Sequence, residues 1–428
     1  MKRNFLILII IFLMASIVLA SFTLFVYPYN PTEPPTTDDS GTTAKGIKEV
    51  VNSNNLFAFE LYPKLNKNKN LFYSPYSISS ALAMTYEGAE TQTADEIKSV
   101  FHFPEDNILR PNFAAIYNNI NKNNLDYELR TGNALWLQKD FPFLNDYINR
   151  IENYYGGKAT NLDFVDETEE SRKTINSFIE EQTNNKIRDL IPKGFLDSIT
   201  RMVLTNAIYF KGTWQWEFDE SETMKQDFLI DSNQIIKAQM MHMKPKEIKF
   251  NYGETENLQI LELPYKGDKI SMLILLPRKN LKDVEEILTA EKLEELKSNM
   301  KKNQLDDIYL PKFKFDTKYF MKSTLIDMGM PTAFSSNADF SGMTGNKDLF
   351  IDFVIHQAFI ELNEEGTEAA AATAVGMKLT AVMPQKIFNA NHPFIFIIQE
   401  KATGNILFLG KVVNPTDSSE SLINSDSY

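Results

Sequence analysis

Serine and histidine together are the raw material of a hydrolase, in which a ring nitrogen takes the proton of an attacking hydroxyl. This chain offers Ser74, Ser77 and His356, with Asn206 as a further polar candidate. Their settings argue against nucleophilic chemistry. Ser74 precedes Pro75, and neither serine stands in the Gly-x-Ser-x-Gly turn that exposes a nucleophile. A buried cluster whose polar groups satisfy one another fits them better. The four histidines, His102, His242, His356 and His392, lie far apart without ligand spacing, so no metal site and no cofactor are expected. There is no cysteine, hence no disulfide and no thiol chemistry.

The most informative stretch runs from Asn363 to Ala374. An acidic pair, Glu364 and Glu365, precedes Gly366, and then come Thr367, Glu368, Ala369, Ala370, Ala371 and Ala372. From Thr367 every second residue is uncharged: Thr367, Ala369, Ala371, Thr373, Val375, Met377 and Leu379. The other register carries Glu368 and Lys378. That is the period of a strand with one buried and one solvated face. The alanine content is wrong for an ordinary strand. The segment therefore reads as a loop able to become a strand, with Gly366 as the bend and a small side-chain profile behind it.

The elements around this stretch carry a family resemblance. Asn70–Ile78 (NLFYSPYSI), Leu204–Gly212 (LTNAIYFKG), Met240-Met241, Leu263-Pro264-Tyr265 and Leu310–Phe313 (LPKF) resemble blocks of the serpins, the loop-inserting protease inhibitors. So do Ala338–Gly342 (ADFSG), Phe388–Phe394 (FNANHPF) and Gly410–Pro415 (GKVVNP), and all occur in serpin order. The resemblance implies an α+β fold with three β-sheets, about nine helices and an exposed reactive-centre loop. It implies irreversible, suicide-substrate inhibition of serine proteases, which end in a covalent complex with a monomeric inhibitor. The hinge would span Glu364 to Ala372. Family spacing from Gly366 puts the attacked bond at Thr380–Ala381, which suits elastase-like or subtilisin-like proteases. Leu379 and Met377 suit a chymotrypsin type if the register slips, and Lys378 a trypsin type. Ser74, Ser77, Asn206 and His356 match the cluster under the sheet that opens. Trp214 matches the aromatic at its top, and Lys312 with Glu364 a pair joining the hinge to a neighbouring strand. The chain departs from the family at Phe178, where tryptophan is common, and at Thr205, where valine is common.

Composition narrows the partners. Of 428 residues, 44 are Lys or Arg and 57 Asp or Glu, a net charge of −13 without a basic cluster. Nucleic acid is an improbable partner, because phosphate binding needs concentrated Lys and Arg. The same balance speaks against a strong polyanionic cofactor site. Residues 1–28 read as a signal peptide or membrane anchor: Lys2 and Arg3 precede an apolar run from Phe5 to about Tyr27. Either reading places the body outside the cytoplasm, with membrane contact only through that segment. Residues 29–45 read as a disordered Pro/Thr/Asp linker, 46–415 as one domain and 416–428 as a disordered polar tail.

A coarse map follows from periodicity. Helical spacing runs from Ile47 to Leu61, from Ser77 toward Gly88 and over 171–190. Strand-like runs are Val203–Phe210, Leu258–Leu263, Ile270–Leu276, Ile308–Phe315, Phe394–Gln399 and Ile406–Val413, the last two joined by a turn at 401–405. Three functions compete: the protease trap, a non-inhibitory binding or storage protein on the same fold, and a secreted hydrolase. A hinge without bulky or charged inward residues favours the first.

Overall fold

Strand Met202–Thr213 is apolar on both faces, and its neighbours show why. Leu204 and Ile208 enter the main hydrophobic core, whereas Val203 and Ala207 enter a second cluster with Trp136, Phe164, Ile175 and Ile179. A strand covered on both sides reads as a continuous hydrophobic run rather than an alternating one. The computed structural model describes residues 36–121, 126–367, 386–418 and 421–423. The N-terminal apolar run, the loop from Glu368 to Gln385 with Thr380 and Ala381, and the residues after Ile423 lie outside them.

Three sheets and ten α-helices make up the described residues, as an α+β chain of about nine helices should. The largest sheet, of eight strands, orders Ser421–Ile423, Phe313–Phe320, Phe353–Leu362, Gly366–Thr367, Met202–Thr213, Ala134–Gln138 and Lys158–Leu162, with Tyr127–Thr131 also paired to Met202–Thr213. A second sheet orders Ile387–Asn389, Asp307–Pro311, Ile235–Met243 and Met224–Leu229. The third, of seven strands, is built around Phe394–Glu400 and Ile406–Val412.

Several boundaries differ from the sequence reading. The expected linker 29–45 is not a free tether from residue 36 onward. Thr37 is buried, and its amide and hydroxyl both donate to Asn118 Oδ1 at 2.9 Å. Thr42 donates to Asn112 at 2.8 Å, and Thr43 caps helix Ala44–Leu65. Short polar side chains that resemble a solvated linker here find asparagine partners on helix Asp106–Ile120. The helix expected over 171–190 is Thr168–Gln182, because Asn184 and Asn185 turn into the left-handed region (φ 53° and 59°). The run Ile308–Phe315 is two strands in two sheets, parted at Lys312, whose amide donates to Gln239. The tail, expected to be disordered, returns at Ser421–Ile423 to pair in parallel with Thr317–Tyr319.

Candidate functional site

Strands Phe353–Leu362 and Met202–Thr213 run parallel and pair directly from Phe353↔Val203 to Ala358↔Ile208. Above that they part, and Gly366–Thr367 lies between them, antiparallel to both. Thr367 faces Leu362 on one side and Gly212 on the other. The loop-that-can-be-a-strand has thus already entered the sheet by its first two residues. Gly366 has φ +149°, and a Cβ there would lie 2.0 Å from the Gly212 carbonyl oxygen. No other residue type fits that approach.

A set of anchors holds the entry. Trp214 donates its amide to Glu365 O at 2.7 Å and its indole Nε1 to Asn363 O at 3.1 Å. Its ring stacks on Tyr265 with centroids 4.5 Å apart, and the Tyr265 hydroxyl bonds the Thr367 hydroxyl at 2.7 Å. Glu364 takes Lys312 Nζ at 2.7 Å and the Thr223 hydroxyl at 2.7 Å. Burial alone would push the Glu364 carboxyl up, but the hydrogen bonds from Lys312 and Thr223 hold it below the usual range. Lys312, Glu364 and Trp214 are thus all placed around the hinge residues 363–367. Tyr265 and Thr223 were not singled out as hinge partners. Tyr265 lay within a quoted block, and Thr223 offered no signal in sequence.

Lower in the sheet, the four polar candidates converge on one buried network. The Ser74 amide donates to His356 Nε2 at 3.1 Å, so that nitrogen is an acceptor and Nδ1 carries the proton toward Asn206 Oδ1. Asn206 Nδ2 donates to Ser77 O at 2.7 Å and Ser77 Oγ at 2.6 Å. Asn133, which sequence reasoning missed, accepts from both Ser77 and Asn206. Burial pushes the His356 ring down to about 3, so it stays neutral. Ser74 Oγ donates to Leu407 O at 2.6 Å and does not reach the ring. With both serines fully buried and no hydroxyl on the imidazole, the arrangement is a latch and not a triad. The two departures from the family share one partner nearby, Trp136. Trp136 Nε1 donates to Thr205 Oγ1 at 2.9 Å, and its ring packs edge-on against Phe178 at 5.5 Å. Glu368, Ala369 to Ala372, Thr380 and Ala381 lie outside the described residues.

The family model described as Serpin (serine protease inhibitor) matches residues 52–415. The chain belongs to the serpin family. This serpin is 43% identical over 378 residues to a serpin-like protein of Methanosarcina mazei, covering 86% of this chain and 88% of that one. It is 39% identical over 385 residues to human leukocyte elastase inhibitor, covering 86% and 100%. Among solved structures, human thyroxine-binding globulin complexed with thyroxine aligns with TM-score 0.78 at 32% identity, covering 87% of this serpin and 100% of the globulin. The relatives' names thus range from an elastase inhibitor to a thyroxine-binding globulin. Membership fixes the serpin fold and leaves activity to the hinge. Among the described residues no helix is long and apolar enough to cross a membrane, and no cluster of ligating side chains could hold a metal ion.

Proposed function

We propose that this serpin is a single-use, irreversible inhibitor of serine proteases that acts by inserting its loop into the large sheet. The register of Gly366–Thr367 carries the reading. Continued antiparallel from Thr367, residue 373 comes opposite both His356 and Asn206, and residue 376 opposite both Phe353 and Val203. Both edges of the cleft thus run out at the same loop residue. Thr367 points inward, so alternation sends Ala369, Ala371, Thr373 and Val375 inward and Glu368 outward. Thr373 would bring a hydroxyl to the place where His356 now bonds Asn206. Zipping the sheet would add hydrogen bonds of about 1 kcal/mol net each, on the order of 10 kcal/mol in all.

A protease attacking Thr380–Ala381 forms an acyl-enzyme on its serine and stays attached to the upstream half of the loop. Insertion down to residue 376 carries it to the far end of the sheet and distorts it before water can release it. The inhibitor works as a monomer, and Thr380 with Ala381 favours elastase-like or subtilisin-like targets. Residues 1–28 place the body outside the cytoplasm, secreted or anchored.

The test mixes the full chain with elastase, subtilisin, chymotrypsin and trypsin and looks for a covalent complex on denaturing gels. The mass of the released C-terminal peptide locates the bond. A stable complex with a peptide beginning at Ala381 is expected. Cleavage without complex by every protease would sink the trap and leave a non-inhibitory binding protein.

A further inference from the structure

Strand Ile235–Met243 holds His242 almost fully buried, with a carboxylate on each ring nitrogen. Nδ1 is 3.1 Å from Glu222 Oε2, and Nε2 is 2.7 Å from Asp307 Oδ1. The ring stacks on Tyr309 with centroids 4.3 Å apart and planes parallel within 1°. Ionised carboxylates only accept hydrogen bonds, so two such contacts require both nitrogens to donate. Only the protonated ring does that. Neutral imidazole has one N–H and would turn a lone pair on the other carboxylate.

Glu222 ends the short 3-10 turn Glu220–Glu222, and the next residue, Thr223, gives its hydroxyl to the hinge carboxylate of Glu364 at 2.7 Å. Asp307 and Tyr309 belong to strand Asp307–Pro311, and the residue that follows it, Lys312, is the other partner of Glu364. His242 therefore fastens together the two segments that grip the hinge. We infer that His242 is a proton-controlled positioning residue: charged, it clamps Glu222 to Asp307 and holds the hinge; neutral, it releases Thr223 and frees Glu364 to move.

The surroundings leave His242 as the group that changes charge. Glu222 faces it from the turn, and Asp307 from the neighbouring strand. Lys244 Nζ stands 3.9 Å from Glu222 Oε2. Strand Ile387–Asn389, beyond Asp307, brings no charged side chain. Burial, and then Asp307 and Glu222, push the Tyr309 phenol up, so it remains neutral. The neutral ring keeps the shorter contact, to Asp307, and Glu222 is the carboxylate let go. Loop entry is therefore faster as pH rises. That consequence rests on the trap reading; the clamp itself does not.

Hydrogen exchange of the intact, uncleaved full chain tests the clamp without any protease. The readout is the protection factor of a peptide covering 361–367, corrected for the intrinsic pH dependence of exchange. Between about pH 5 and about pH 8, wild-type protection should fall at least about fivefold, as loss of one charge-assisted bond would give. His242→Gln should sit at the low, high-pH level throughout and show no such fall. Asp307→Asn, which leaves the ring one carboxylate, should flatten the profile too and decides the matter if His242→Gln does not fold. The same pH dependence in wild type and variants, or none in wild type, overturns the clamp. The predicted exchange pattern in a protein that forms no covalent complex would keep the clamp and discard the trap.

Discussion

A methyl group added at Gly366 has nowhere to go, with the Gly212 oxygen 2.0 Å and Thr213 Cα 2.8 Å from its position. Gly366→Ala should cost on the order of 1–3 kcal/mol at the hinge and expel Gly366–Thr367 from the sheet. Loss of exchange protection at Thr367, in an otherwise folded protein, is the check. His356 makes a second prediction with a definite sign. Burial lowers its folded value to about 3 from 6.5, so the unfolded chain binds a proton first as pH falls. The stabilisation is complete above about pH 6.5 and is lost progressively toward pH 3. Thermal midpoints should drop through that window, and His356→Gln should drop less steeply. Burial would raise the Asp339 carboxyl, but hydrogen bonds from Lys347 and Ser341 hold it at about 2, so its contribution is complete above its usual 3.8 and is lost only as pH falls below that. The residues of this latch were legible as a set because they sit in recognisable blocks. Asn133 was not, since a lone asparagine after Gly132 has no sequence signature until the sheet folds it under Asn206.

Among the elements, strand Phe313–Phe320 would be the outer edge of the large sheet if the tail did not return to it. Edge strands present unpaired N–H and C=O groups and invite pairing with other chains. Ser421–Ile423 covers the stretch Thr317–Tyr319. Removing residues 418–428 should raise amide exchange there and produce concentration-dependent oligomers by light scattering. Unchanged exchange would show that the tail contributes nothing. Its Ser- and Asp-rich composition gave no warning, because a strand added to a pre-formed edge needs backbone groups more than apolar side chains. The Ile308–Phe315 run misled for a related reason. Pro311 and Lys312 look like part of one strand until Asp307–Pro311 and Phe313–Phe320 are seen to join different sheets. Clearer segments fared better: helix Ala44–Leu65 buries the face its periodicity marked, and the short apolar runs Phe394–Glu400 and Ile406–Val412 are strands buried throughout.

At the scale of the whole molecule, the large sheet is closed below Ala358↔Ile208 and open above it. In the proposed trap, nicking the loop downstream of residue 376 would release the constraint at its far end and let the strand run in. The nicked protein should therefore melt well above the intact one, by scanning calorimetry on chain cleaved with a protease it does not trap. Equal midpoints would mean that the cleft stays shut. Such a chain is selected for what it can still do and not for how firmly it is folded. A laboratory screen that rewards survival of heating would enrich variants in which the wedge at Gly366–Thr367 has already run to the bottom of the sheet. Those variants would be soluble, compact and durable, and spent before meeting any protease. Under the proposed trap, heat resistance on its own would be a marker of lost capacity.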